Sequence, residues 1–248
     1  FSGDMAVSWI TAGGDIFLTA DNNVTILEGA EVEADEDHID GGTLRVIADA
    51  DGVDSDGLGG GSVLAEWGSR LEGRLVEVSG VDVRAGETWP SIFSGQFRSW
   101  SDLFVTAQRD VSLRGGTAEG IVSIEAGGSV DVWSLWADSG GVIVTSDAGD
   151  VHIGSIATRT AGNVDVNAPG GAIFQDLVPY PEPGDYDRNI YSVGDVYLDA
   201  AAGVTLARIG ARDFARSGNF YDPVQGSVWI NQDAGSGGPV TIEDSVYA

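Results

Sequence analysis

The chain contains no cysteine and no lysine among its 248 residues. Without cysteine it can form no disulfide, no thiolate metal site and no cysteine nucleophile. Without lysine it has neither a phosphate-binding loop of the Walker type nor a Schiff-base lysine. Several large classes of enzyme are therefore excluded by composition.

Positive charge is scarce as well, because 12 basic residues stand against 39 acidic ones and the formal net charge is -27. Such a chain repels nucleic-acid phosphates and anionic lipid, so we expect no nucleic-acid partner. No segment approaches the run of about eighteen apolar residues that a membrane-spanning helix needs, so we expect no membrane insertion. With 42% hydrophobic residues the chain should still fold, as one elongated body.

What the chain has in abundance is a short repeat of alternating apolar residues. A valine-like residue, a spacer, a second valine-like residue, a spacer and usually an alanine recur ten times at intervals of about twenty residues. Alternation of this kind predicts a β-strand. The first members of the ten copies are Ile16, Leu44, Val63, Val81, Leu103, Val122, Val142, Val164, Val196 and Val228.

A second short strand follows eight or nine residues later in most copies. Two or three strands per repeat predict a solenoid whose like strands stack in parallel at about 4.8 Å. Crossovers between parallel strands are nearly always right-handed. We therefore predict an all-β fold, a right-handed parallel β-helix of about ten rungs and about 50 Å over residues 1–248. The second strands begin at Val24, Val111, Val130, Val151, Val204 and Val240.

The two cleanest stretches of the repeat resemble a known family. They are GDVHIGSIATRTAGNVDVNAPGGAI, Gly149–Ile173, and GDVYLDAAAGVTLARIGA, Gly194–Ala211. They resemble the repeats of filamentous-haemagglutinin-type exoproteins, the large secreted bacterial adhesins of two-partner secretion and autotransporter systems. The resemblance covers most of the chain outside its insertions. It implies a β-helical segment at the cell surface or outside the cell, with a host or matrix glycan or protein as partner, and it supplies no catalytic residues.

The repeat is already running at Val7 and still running at Ile242, and neither end shows an amphipathic capping helix. Terminal repeats normally block exposed strand edges. We therefore expect further rungs beyond the chain, in the same polypeptide or in neighbouring copies of it.

Acidic insertions interrupt the repeat across residues 33–61. In the segment Ala48–Gly61 four aspartates alternate with small residues and glycines, as in loops that bind calcium through six to eight oxygens. We predict a calcium site here, with a solvated acidic turn as the alternative. The predicted ligands are Asp49, Asp51, Asp54 and Asp56. A solvated turn is the favoured interpretation for Asp35, Glu36, Asp37, His38 and Asp40.

Three further insertions, residues 87–102, 175–193 and 207–225, carry much of the aromatic surface. Beside the arginines of these insertions the rings could form a sugar- or protein-binding face. The alternative is a small satellite core folded over the solenoid. The aromatic residues singled out are Trp89, Trp100, Tyr186 and Tyr221, and the arginines are Arg98, Arg188 and Arg216.

The outward positions of the two strand types differ in polarity. Six of the ten in the first strand are apolar, whereas those of the second strand are all polar. We therefore expect the first face to be covered, either by the aromatic insertions or by a neighbouring chain, and the asymmetry favours lateral assembly. The first-strand positions are Phe17, Arg45, Leu64, Asp82, Phe104, Ser123, Ile143, Asp165, Tyr197 and Trp229. The second-strand positions are Thr25, Ser112, Asp131, His152, Thr205 and Thr241. The binding residues predicted on the first face are Phe17, Phe104, Tyr197 and Trp229.

Catalysis is the alternative, because parallel β-helices also form polysaccharide lyases, glycosidases and tailspike-like polysaccharide-binding modules. Arg45 beside the acidic loop is the one indication of a calcium-assisted lyase. His38 and His152 define neither a catalytic triad nor a zinc site, and we predict no catalytic residue. The function predicted is a non-enzymatic, extracellular, structural or adhesive segment stabilised by calcium.

Overall fold

The computed structural model describes residues 3–34, 41–49, 61–86, 96–175, 190–211, 226–231 and 238–247. These ranges contain β-strands and turns but no helix, so the all-β prediction is confirmed. Within them no helix long and apolar enough to cross a membrane is present. In chain order the strands are β1 (Met5–Ala12), β2 (Ile16–Thr19), β3 (Val24–Ala34), β4 (Thr43–Ile47), β5 (Val63–Ala65), β6 (Arg70–Gly73), β7 (Leu75–Gly80), β8 (Val83–Ala85), β9 (Gln96–Ser99), β10 (Leu103–Ala107), β11 (Val111–Leu113), β12 (Gly115–Ala118), β13 (Val122–Ala126), β14 (Val130–Ala137), β15 (Val142–Ser146), β16 (Val151–Thr158), β17 (Val164–Ala168), β18 (Ala172–Gln175), β19 (Ile190–Ser192), β20 (Val196–Ala200), β21 (Gly203–Ala211), β22 (Val228–Ile230) and β23 (Val240–Tyr247).

The strands form two large parallel sheets. One has nine strands in the order β2-β4-β7-β10-β13-β15-β17-β20-β22, and the other has fourteen. Along the chain each strand of the nine-stranded sheet is followed by one long or two short strands of the fourteen-stranded sheet. The chain therefore returns to the same sheet at regular intervals, each time one strand further along.

Side chains alternate between the interior and the surface along these strands, as predicted. In β17 Val164 and Val166 are fully buried, and Asp165 between them is only partly buried. Neighbouring strands pair without offset here, so that Val142, Val164 and Val196 are stacked in one interior row. The core is thus a set of parallel rows of valine, isoleucine and leucine.

Eight of the ten predicted first members lie in the nine-stranded sheet, and the prediction is wrong for the other two. Val63 begins β5 and is paired in register with Val24 of β3 in the fourteen-stranded sheet. Val81 lies in the bend after β7. The missing member is β7, where Val76 and Val78 are buried. Val63 and Val81 follow one another at nearly the same interval as the first members that lie in the nine-stranded sheet. The repeat was therefore assigned to the wrong residues in this segment.

Two of the predicted outward positions are wrong for the same reason. Leu64 pairs with Thr25 and so belongs to the fourteen-stranded sheet. Asp82 is buried, with 4% of its surface exposed, because it sits in the bend and is held there by Arg109. The outward residue of the nine-stranded sheet at this level is Glu77.

The nine-stranded sheet is the first row of stacked strands, and the fourteen-stranded sheet contains two further rows. The second row lies where it was predicted. Val24, Val111, Val130, Val151 and Val240 each begin a strand of this sheet, and Val204 is the second residue of β21. A third row follows it along the chain. Its segments lie in the later part of the long strands and in the short strands β6, β9, β12 and β19.

Several strands reach into the ranges that were predicted as insertions. Strand β4 lies within 33–61, β9 within 87–102 and β19 within 175–193, and β21 extends into 207–225. Much of the remainder of these ranges falls outside the described residues.

Candidate functional site

Only Asp49 of the four predicted calcium ligands lies among the described residues. Its φ is 60°, its Oδ2 accepts a hydrogen bond from Gln108 Nε2 at 3.1 Å, and its Oδ1 is buried without a hydrogen-bond partner in the described part. The described residues contain no group of three acidic or histidine side chains arranged to hold a metal ion. The calcium site stays a prediction. Of the residues named in the acidic insertions, those that lie outside the described residues are Asp51, Asp54, Asp56, Asp35, Glu36, Asp37, His38 and Asp40.

The outer face of the nine-stranded sheet carries a row of partly apolar side chains, which we call the outer stripe. Its five large apolar members are 36% to 58% exposed. In register order the row consists of Phe17, Arg45, Glu77, Phe104, Ser123, Ile143, Asp165, Tyr197 and Trp229.

Charged residues divide the outer stripe into three apolar patches. An ion pair between Arg45 and Glu77 separates Phe17 from the middle patch, and Asp165 separates the middle patch from the last. The middle patch consists of Phe104 and Ile143 and is continuous because Ser123, between them in register, is buried. The last patch consists of Tyr197 and Trp229, which are adjacent in register.

Two groups near the last patch have shifted pKa values. Burial, together with the charge of Asp199, raises the pKa of Asp165 against a hydrogen bond from Asn167. The Tyr197 hydroxyl donates to Asp195 Oδ2 at 2.9 Å, and this bond is the main reason why the pKa of the phenol is raised. Tyr197 therefore stays neutral and can act as an apolar surface with one polar tip.

A groove of about 270 Å³ opens on the third row of strands. It collects aromatic and charged side chains and is called the Trp136 groove here. Its principal lining residues are Arg98, Trp100, Glu119, Trp136, Asp138 and Arg159.

The backbone explains why these residues meet. Strands β9, β12, β14 and β16 are parallel neighbours that end at the same edge of the third row. The residues just beyond the strand ends continue the ladder, since the N–H of Asp138 donates to Ala118 O and that of Arg159 to Ala137 O, both at 2.9 Å. Side chains about twenty residues apart in sequence are therefore only one strand step apart in space, about 4.8 Å.

Cations lie against both indole rings of the Trp136 groove. The Arg159 guanidinium is 4.6 Å from the centre of the Trp136 ring and 3.3 Å from Asp138 Oδ1. The Arg98 guanidinium is 5.5 Å from the Trp100 ring, and it forms no ion pair with any residue that the structure describes. Stacking of this kind holds the long arginine side chains in defined positions.

The indole nitrogen of Trp136 is occupied as well. It donates a hydrogen bond to Ser134 Oγ at 2.6 Å, two residues earlier on the same strand. This bond and the Arg159 contact fix the ring orientation from two sides. Thr117 and Ala157, the register neighbours of Trp136 on either side, are smaller and leave space beside the ring.

The sequence indicated part of this groove. Arg98 and Trp100 were both named as members of a possible binding face, and the structure places the Arg98 guanidinium against the Trp100 ring. Trp136 and Asp138 at the end of β14, and Arg159 after β16, were missed because they belong to later turns of the repeat than Arg98 and Trp100. The available clue was the short spacing between Trp133 and Trp136 on one strand, which is unusual in a chain with seven tryptophans. Trp89, Tyr186 and Tyr221, the other aromatic binding residues predicted, lie outside the described residues.

Arg45, the one residue that indicated catalysis, and His152, which did not, both lie apart from this groove. Arg45 lies on the outer stripe in its ion pair with Glu77. His152 lies on the second row, stacked on Phe174 with a ring separation of 5.1 Å. Comparison of the chain with protein-family models, curated proteins and solved structures finds no match.

Proposed function

We propose that the chain is a segment of a right-handed parallel β-helix with a structural and adhesive role in an extracellular bacterial surface protein of the filamentous-haemagglutinin type. The observation that carries this proposal is the unbroken in-register stacking of nine parallel strands in one sheet. The alternation of the chain between this sheet and the two rows of the other supports a solenoid, in which each coil contributes one strand to each row. Nine stacked strands would give a rod about 40 Å long.

A stacking architecture suits a structural role because every coil gains its stability from its neighbours. Charge suits an extracellular surface, since a net charge of -27 keeps such a rod soluble and opposes unspecific association. Specific contacts are then assigned to the outer stripe and the Trp136 groove, where large side chains lie together at the surface. The partners proposed are neighbouring copies of the chain and a glycan or protein of a host or matrix.

The test of this proposal is surface display with a matched unfolded control. The chain is anchored on a non-adherent bacterium, and attachment to host cells and matrix preparations is counted. The control carries Val164→Asp, which places an unpaired charge in the fully buried row and should unfold the coil. The displayed chain should raise attachment and the control should not. Equal attachment by the two would overturn the adhesive role.

The second candidate is a polysaccharide-acting module, favoured by the carboxylates of Glu119 and Asp138 in an aromatic groove. The geometry supports it less well, because Asp138 is paired with Arg159. Incubation with neutral and acidic polysaccharides, followed by assay of new reducing ends and of unsaturated products, tests it. Product formation that Glu119→Gln abolishes would favour this candidate over an adhesive segment.

A further inference from the structure

We infer that the Trp136 groove binds an uncharged polysaccharide chain that lies along the stacking direction of the strands. The inference rests on the proposed adhesive function and names the ligand class for one of its surfaces. It is carried by the chemistry of the groove, by its charge balance and by the row of side chains that continues beyond it.

The polar groups of the groove match the hydroxyl groups of a sugar. Arg98 offers donors, Glu119 offers acceptors, and the Thr117 hydroxyl offers both. Arg159 lies against one face of the Trp136 ring, so the opposite face is the apolar surface against which the C–H face of a pyranose would stack. A few convergent polar groups beside an aromatic ring are typical of small-ligand sites.

Charge balance selects an uncharged ligand. Two arginines, Arg98 and Arg159, face two carboxylates, Glu119 and Asp138, so the groove itself carries no net charge. A polyanion approaching it would meet the repulsion of a chain with net charge -27. A polycation would be attracted by the molecule as a whole but would meet the exposed Arg98 at the site.

The outward side chains of the third row continue the groove along the stacking direction. Bulky and small residues alternate there, so that Trp136 and Tyr191 are separated by Ala157 in register. Two strand steps are about 9.6 Å, close to the length of a disaccharide. Two aromatic positions at this spacing suit a chain of sugars better than a single sugar.

The experiment measures binding of soluble polysaccharides to the folded chain by affinity electrophoresis and tryptophan fluorescence. The probes are neutral hexose polymers and, in parallel, uronate-containing polymers at low and high salt. Trp136→Ala should weaken binding of a neutral polymer by about tenfold, because about 1.4 kcal/mol of stacking is lost. The matched control is Trp67→Ala, which removes another exposed tryptophan (44%) outside the groove and should leave binding unchanged.

A second variant keeps the inference testable if Trp136→Ala fails to fold. Arg98→Ala removes an exposed side chain without a described ion pair, so it should fold normally and still weaken binding several-fold. Glu119→Gln removes one negative charge from the groove and tests the charge preference of the site with the uronate polymers. Melting curves of all variants are recorded alongside.

The outcomes separate this inference from the function it rests on. The inference is overturned if no neutral polymer binds, or if Trp136→Ala and Arg98→Ala leave binding intact. Either result leaves the adhesive function standing if the chain still adheres in the display test. Tighter binding of uronate polymers, strengthened by Glu119→Gln, overturns the neutral class. Neutral-polymer binding that both groove variants weaken supports the inference, even if the display test shows no adhesion.

Discussion

At the scale of single residues, the acidity of the chain has a structural use that composition alone does not show. Aspartate or asparagine repeatedly stands just before a strand, and its side-chain oxygen accepts the backbone N–H of the equivalent residue one coil further on. These bonds satisfy backbone donors at the corners, where the ladder is interrupted. The pairs are Asp4 with Asn23, Asp15 with Thr43, Asn23 with Ser62, Asp82 with Asp110, Asp102 with Ile121, Asp110 with Ser129, Asp150 with Ala172, Asn163 with Asp195 and Asp195 with Ser227.

Substitution of one of these aspartates should measure how much its hydrogen bond contributes to the free energy of unfolding. Asp102 Oδ1 accepts the N–H of Ile121 at 2.7 Å, so Asp102→Ala should lower the free energy of unfolding by about 1 kcal/mol. Asp102→Asn keeps the acceptor oxygen and should cost less. Urea unfolding of the three proteins gives the comparison. Equal losses for Ala and Asn would mean that charge, and not the hydrogen bond, is what Asp102 contributes.

Two aspartates should give the stability opposite dependences on pH. Burial and Asp199 raise the pKa of Asp165, so its ionised form is disfavoured in the fold, and stability falls as pH rises from the unfolded to the folded value. Burial also opposes ionisation of Asp82, but the Arg109 hydrogen bonds, the Asp110 N–H and the charges of Arg109 and Arg84 outweigh it and lower its pKa. Its contribution is present above the ordinary aspartate pKa and is lost as pH falls through the lowered value.

Replacement of Asp165 or Asp82 by asparagine should show whether each ionised carboxylate stabilises or destabilises the fold. At neutral pH Asp165→Asn should be more stable than the native chain and Asp82→Asn less stable, and both differences should shrink in acid as the native carboxylates are protonated. Unfolding curves at neutral pH and at about pH 3 measure this. Asp82→Asn as stable as the native chain at neutral pH would contradict the assignment.

At the scale of strands, the first two rows could be predicted from sequence and the third could not. The first two have buried valine-like residues at alternating positions, as in Val164-Asp165-Val166. In the third row the pattern is interrupted at β12, where glycine takes the inward position Gly116 and Leu103 and Leu135 fill the space. A Cβ at Gly116 would come within 3.0 Å of both leucines.

The Trp136 groove could not be predicted because it depends on that missing row. Arg98, Thr117 and Trp136 align only once the third-row strands are paired in register. The slip at Val63 and Val81 has a related cause, since strands of two rows share the same valine-rich pattern. Alternation identifies a strand and its buried face, but it does not say which row the strand joins.

The acidic loop after β4 gives a prediction at the same scale. If the loop binds calcium only when folded, micromolar to millimolar calcium should raise the melting temperature, and Asp51→Ala with Asp54→Ala should abolish the rise. Sodium at matched ionic strength is the control for simple screening of the negative charge. A melting curve that chelator treatment leaves unchanged would remove calcium from the proposed function.

At the scale of the whole molecule, net charge and the outer stripe act in opposite directions. The charge of -27 drives copies apart, whereas the apolar patches of the stripe favour contact between them. The repulsion is long-ranged and screened by salt, but the apolar contact is neither. Association should therefore be weak at low ionic strength and should appear as salt is added.

Lateral association through the last patch of the stripe can be tested with charge-matched variants. Tyr197→Lys with Trp229→Lys should abolish the salt-induced association, because it places two charges on a patch that is otherwise apolar. The control, Thr205→Lys with Thr241→Lys, adds the same charge to the adjacent second-row strands of the same stretch of chain, but on the polar face. Sedimentation at several salt and protein concentrations should show oligomers for the native chain and the control and monomers for the stripe variant. If the native chain stays monomeric in high salt, or the control dissociates as readily as the stripe variant, the stripe is not the lateral contact.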